Sequence, residues 1–210
     1  MSRNKLLNIG IAIAALAFLT LGYFHFKTDK PARILPVYGP AGHTVRDFKL
    51  IDQAGNTITQ STMTGKIYVL DYFFTTCPSI CPVMSNQMQR AYEKFKGNEQ
   101  VSFISHTVDP ENDSVPVLAK YAQEHGADAA QWHFVTGDKR ELYDLARKSY
   151  FLDPGEGKGD AEDFIHTPMF VLVDREKRIR GYYDGTNASE VDKMLAEIGL
   201  LLQEYRYKEE

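Results

Sequence analysis

The run at residues 66–74, KIYVLDYFF, is the feature that most restricts how this chain can fold. It is apolar on both of the faces a strand presents, so a strand made from it has to be covered on both sides. The segments around it supply that cover. Residues 47–51 and 56–59, about Ala54 and Gly55, read as a small hairpin. Residues 83–96 read as a helix with Met84, Met88, Ala91 and Phe95 along one stripe. A strand is expected over 101–108 and a helix over 114–125, with Ser114 placed to cap it and Gly126 to stop it. A short strand at 131–136, a helix at 138–148, a hairpin of 169–174 and 178–184 about 175–177, and a closing helix at 188–204 follow. Strand–helix alternation ending in a hairpin and a helix predicts an α/β domain, a central mixed sheet flanked by helices, over residues 45–204.

The ends read differently. Arg3 and Lys5 precede an apolar run at residues 6–26, long enough to cross a bilayer as a helix, with Tyr23 and Phe24 near its far end. Residues 1–27 are therefore expected to be an N-terminal transmembrane helix of the signal-anchor type. A cleaved signal peptide is the rival, since Ala15-Leu16-Ala17 has the form of a cleavage site. No cysteine follows the run, which excludes a bacterial lipoprotein anchor. The expected place is the bacterial inner membrane, single-pass, with the domain on the extracytoplasmic side. Residues 28–44, with Pro31, Pro36, Gly39, Pro40 and Gly42, read as a linker, and 205–210 as a charged tail. A net charge of -4 gives no electrostatic case for nucleic acid as a partner.

The two cysteines, Cys77 and Cys81, sit in FFTTCPSICPVM, between the apolar strand and a helix. A pair this close constrains little chain entropy, so it reads as a redox or metal pair rather than a structural staple. Pro82 suits the first turn of the helix, placing both thiols at or just before its positive end, where thiolates are favoured. Three residues between the cysteines still allow a disulfide. They also let both sulfurs face one soft ion such as copper(I), for which an imidazole would be a fitting third ligand.

Of six histidines, His25 lies at the end of the apolar run, His43 in the linker, and His125 at a helix end, where exposure is expected. His133 reads as a core or edge residue and His106 as a secondary candidate near the sheet end. His166, in DFIHTPMFVLVD, stands just before a strongly apolar strand. By itself it reads as structural or as the missing ligand, and the residues leave both open. Met84, Met88 and Met169 read as core.

These motifs together resemble the Sco family of copper chaperones. The resemblance rests on TTCPSICP, on Asp71 in YVLDYFFTTC, on TVDPENDS with Asp109 and Asp113, and on His166-Thr167 before an apolar strand ending in Asp174. It implies a membrane-tethered thioredoxin-like fold. It also implies one copper ion per chain, as Cu(I) or Cu(II), on Cys77, Cys81 and His166. The implied work is maturation of the copper A centre of cytochrome c oxidase subunit II, or of another copper A-type protein. That would proceed by copper delivery, by cysteine reduction, or both, with a thioredoxin-like reductant as a further partner. Asp71, Asp109 and Asp113 would cap, turn or hydrogen-bond, or else support the ligands or dock a partner. Pro168 departs from many family members and sits where thioredoxin folds carry a cis-proline facing the cysteine loop. A thiol-disulfide oxidoreductase using Cys77 and Cys81 therefore remains an alternative. A thiol peroxidase, with Cys77 attacking and Cys81 resolving, is another, although Phe74 stands where the peroxidase loop carries threonine.

Overall fold

A computed structural model describes residues 33–152 and 165–209, together with Ile13, Ala15, Leu16 and Phe18, which are helical and exposed. The apolar run at 6–26, expected to be a transmembrane helix, otherwise lies outside the described residues, as does His25. Among the described residues no helix is long and apolar enough to cross a membrane.

The strands are β1 (Lys49–Asp52), β2 (Thr57–Thr59), β3 (Ile67–Phe73), β4 (Val101–Thr107), β5 (Trp132–Thr136), β6 (Met169–Val173) and β7 (Ile179–Asp184). The helices are α1 (Ile80–Phe95), α2 (Val115–Glu124), α3 (Lys139–Asp144, continued by a π turn, Leu145–Ser149) and α4 (Ala188–Glu209). The sheet order is β2-β1-β5-β4-β3-β6-β7. β3, β4 and β5 run parallel, whereas β6 pairs antiparallel with β3 and β1 antiparallel with β5. This is the expected central mixed sheet.

β3 sits in the middle of the sheet, and all seven of its residues are buried. Its alternate side chains feed two cores, as an apolar strand with a two-residue period must. Ile67, Val69 and Phe73 pack with Met84 and Met88 of α1, Leu118 of α2 and Ile198 of α4. Tyr68, Leu70 and Tyr72 pack on the other face with Leu142 and Leu145 of α3. Gly126, at φ +63°, takes the left-handed turn that ends α2, a conformation that costs other residues more.

Two expectations about the ends change. The segment read as a linker is fastened to the domain from residue 33 onward. Leu35 is buried in the α1 and α4 core, and Tyr38 N donates to Ile179 O of β7 at 2.9 Å. The guanidinium of Arg180 donates to Leu35 O and Pro36 O at 2.8 and 3.0 Å. Phe151, at φ +53°, holds its ring against His43 and directly over Gly39, where a Cβ would come within 3.1 Å of it. The closing helix, in turn, runs to Glu209 rather than 204. Tyr205 is buried, and Lys208 pairs with Glu204 one turn back at 2.8 Å.

Candidate metal centre

β3 delivers the chain to the C-terminal end of the parallel strands, where ligand sites of open α/β sheets form. The loop turns at once, and Cys77 N donates to Phe74 O at 3.2 Å. α1 starts at Ile80, three residues earlier than expected. Cys81 therefore lies in its first turn and only Cys77 precedes it. Pro82 is then the third helical residue, where its missing N–H still costs no intrahelical bond. Both cysteines are free and buried.

The two thiols are unequal. Burial works against ionisation of Cys77, but the Cys81 thiol and the N–H groups of Ser79 and Cys81 hydrogen-bond to its sulfur, and its pKa is lowered overall. Burial, with the hydrogen bond to Cys77, pushes the Cys81 thiol up to about 12. Of the pair, Cys81 is thus the thiol that holds its proton, and Cys77 the one that ionises more readily.

Cys77 and Cys81 line a cleft of about 160 Å³ with Phe74, Ile80, His166 and Thr167. His166 is exposed on its wall, edge-on to the Phe74 ring at 6.5 Å. Among the described residues no three His, Cys, Asp or Glu side chains stand close enough together to hold a metal ion. The three expected ligands share one cleft, then, but their donor atoms do not converge. The donor chemistry, two thiols and an imidazole, fits a soft ion. Pro168 is trans, since no peptide bond among the described residues is cis. Both neighbours of His166, Ile165 and Thr167, line the cleft with it.

The other histidines are accounted for elsewhere. His106 stacks on Tyr72, on the sheet face opposite the thiols, at 4.8 Å, with Nδ1 3.3 Å from Asp71 O. Burial lowers its pKa to about 3, so it stays neutral. His133 is buried with Nδ1 3.4 Å from Asp52. His125 is half-buried between Tyr121 and Trp132 rather than exposed. His43 Nε2 lies 2.9 Å from Ser149 O.

The three aspartates separate clearly. Asp71 is buried on the thiol face, and burial raises its pKa to about 7 against a hydrogen bond from Ser105. Asp113 is buried and accepts from Thr75 N, 3.2 Å from Oδ2, and from the hydroxyls of Thr75 and Thr107. Asp109 does not reach the cleft. Its carbonyl accepts from Asn112 N and Asp113 N, and its carboxylate from Asn112, which makes it a turn residue. Thr75 and Thr107, which tie Asp113 to the cysteine loop, were not singled out from the sequence. The paired threonines directly before Cys77 were the one available sign.

The SCO1/SenC family model matches residues 38–203. A SCO1 protein homolog from Bacillus subtilis is 29% identical over 161 residues, covering 76% of this chain and 83% of its own. The fold is also that of BsSco, described as a member of the Sco family of cytochrome c oxidase assembly proteins with a disulfide switch. That similarity has a TM-score of 0.65 and 28% identity, over 79% of this chain and 96% of that one. Copper-bound ScoI from Arabidopsis thaliana aligns with a TM-score of 0.59 and 26% identity, over 74% of this chain and 98% of its own.

Proposed function

Because the chain belongs to the SCO1/SenC family, we propose that it is a copper-binding assembly factor for cytochrome c oxidase. One observation carries this reading: two free, buried cysteines open into a single cleft that also holds His166. Cys77, Cys81 and His166 would take one copper ion as cargo, Cu(I) or Cu(II), destined for the copper A site of subunit II or a similar protein. Thiolates suit the cuprous state, and the imidazole makes a cupric state tenable. His166 has to close on the thiols when the ion arrives. Because Cys81 keeps its proton to about pH 12 in the metal-free protein, copper uptake at neutral pH releases that proton. The apolar residues 6–26 would hold the domain at the inner membrane, facing away from the cytoplasm.

The inequality of the thiols favours a second use of the same pair. The Cys77 thiolate would attack a disulfide in the partner, forming a mixed disulfide and releasing one partner thiolate. Cys81 would then give up its proton and displace the second partner thiol, leaving a Cys77–Cys81 disulfide. Two electrons pass to the partner, and a thioredoxin-like reductant would restore the pair.

Titration of the reduced full-length protein with Cu(I) against a competing chelator, and with Cu(II) by thiolate-to-copper absorption, tests the copper reading. One equivalent should bind tightly, and Cys77→Ser, Cys81→Ser and His166→Ala should each weaken it. Absence of stoichiometric binding by fully reduced protein would leave only the disulfide chemistry.

A further inference from the structure

We infer that Asp113 is a positioning residue for the thiol pair, holding the loop that carries Cys77 in register with the start of α1; this rests on the reading of the cleft as the working site. The carboxylate is 1% exposed and bridges two elements far apart in sequence. On the loop side it takes the Thr75 N–H, 3.2 Å from Oδ2, and the Thr75 hydroxyl on Oδ1. On the sheet side it takes the Thr107 hydroxyl at the end of β4. Among the described residues no lysine or arginine pairs with it, so these donors are what fix its position.

The side chain is not a helix cap. Ser114 occupies the cap position of α2, and the oxygens of Asp113 point to Thr75 and Thr107 instead. Its own main chain is fixed by the turn in which Asp113 N donates to Asp109 O at 2.8 Å. The Asp109 N–H in turn donates to the Thr107 hydroxyl at 2.9 Å. A rigid turn thus aims a buried carboxylate at the residue two before Cys77. The groups that place the Cys77 sulfur flank that tether: the bond from Cys77 N to Phe74 O, the Cys81 thiol, the Ser79 hydroxyl 4.0 Å from the sulfur, and the N–H groups of Ser79 and Cys81. Releasing Thr75 lets the loop slide on the sheet and takes the sulfur out of reach of those donors.

The experiment is a double-mutant cycle in the full chain with Asp113→Asn and Thr75→Val. The metal-free reduced protein is followed by the rate of Cys77 alkylation with iodoacetamide at pH 7. The copper-loaded protein is followed by the thiolate-to-Cu(II) absorption band. Each single variant is expected to slow alkylation about five-fold, the worth of an ordinary hydrogen bond, and to shift the band. The double variant should be slower by less than the product of the two singles, because both changes weaken the same tether, of which Thr75→Val removes the hydroxyl bond and leaves the N–H. Thermal melts identify variants that remain folded. Folded variants that alkylate within about two-fold of the parent, or whose effects add, overturn the inference. An alkylation effect that persists where the parent binds no copper supports the tether and counts against the copper reading alone.

Discussion

Asp71 shows how much one side chain can depend on its surroundings. It lies in the middle of β3 on the thiol face, and its Oδ1 has no hydrogen-bond partner. Burial raises its pKa from the ordinary 3.8 to about 7, so the folded protein keeps a proton that the unfolded chain releases above about pH 4. A folded pKa above the unfolded one contributes stability that is complete below the unfolded value and is lost as pH rises through the folded value. Asp71→Asn removes that dependence while keeping the shape. The stability of the variant relative to the parent should rise by about 3 kcal/mol between pH 5 and pH 8, measured by urea unfolding. A constant difference across that range would show that Asp71 is ionised in the fold. At this scale the sequence was informative where chemistry is local. Cys77 and Cys81 declared themselves by spacing and by the proline that follows. Asp71, Asp109 and Asp113 did not, because whether a carboxylate turns a loop, lies buried or tethers a neighbour depends on what packs against it. Thr75 meets Asp113 only after β3, α1 and β4 are in place.

Among the elements, types were legible and ends were not. Pro82 pointed to a helix start just before it, but proline is tolerated anywhere among the first unpaired N–H groups, and α1 begins two residues earlier than Pro82. The segment at 33–44 has the proline and glycine content of a linker. Its attachment depends on partners that composition does not reveal, chiefly Arg180. That guanidinium is 1% exposed and joins four groups: Leu35 O, Pro36 O, Asp174 at 2.8 Å and Glu204 at 3.0 Å. It therefore locks the incoming chain to the β6–β7 hairpin and to α4. Arg180→Met leaves both carbonyls and the Glu204 charge without this partner. It should cost about 3 kcal/mol in urea unfolding, with early loss of amide protection at residues 35–38. Retained protection there would show that Leu35 burial alone holds the segment.

For the whole molecule, alternation of buried strands and amphipathic helices was enough to read a central mixed sheet with helices on both faces, because each strand's pattern states how many of its faces are covered. Alternation alone could not show how the proposed copper donors would meet. Cys77 and Cys81 come from the end of β3 and the start of α1, whereas His166 arrives with β6, the antiparallel neighbour of β3. The sheet brings all three to one cleft and leaves the imidazole on its wall. For the proposed three-ligand site to form, His166 has to move onto the thiols. X-ray absorption at the copper edge of the reduced, copper-loaded full-length protein tests this most directly. Two sulfur scatterers and one imidazole nitrogen are expected, the nitrogen disappearing in His166→Ala. A spectrum with one sulfur, or one unchanged by His166→Ala, would contradict it.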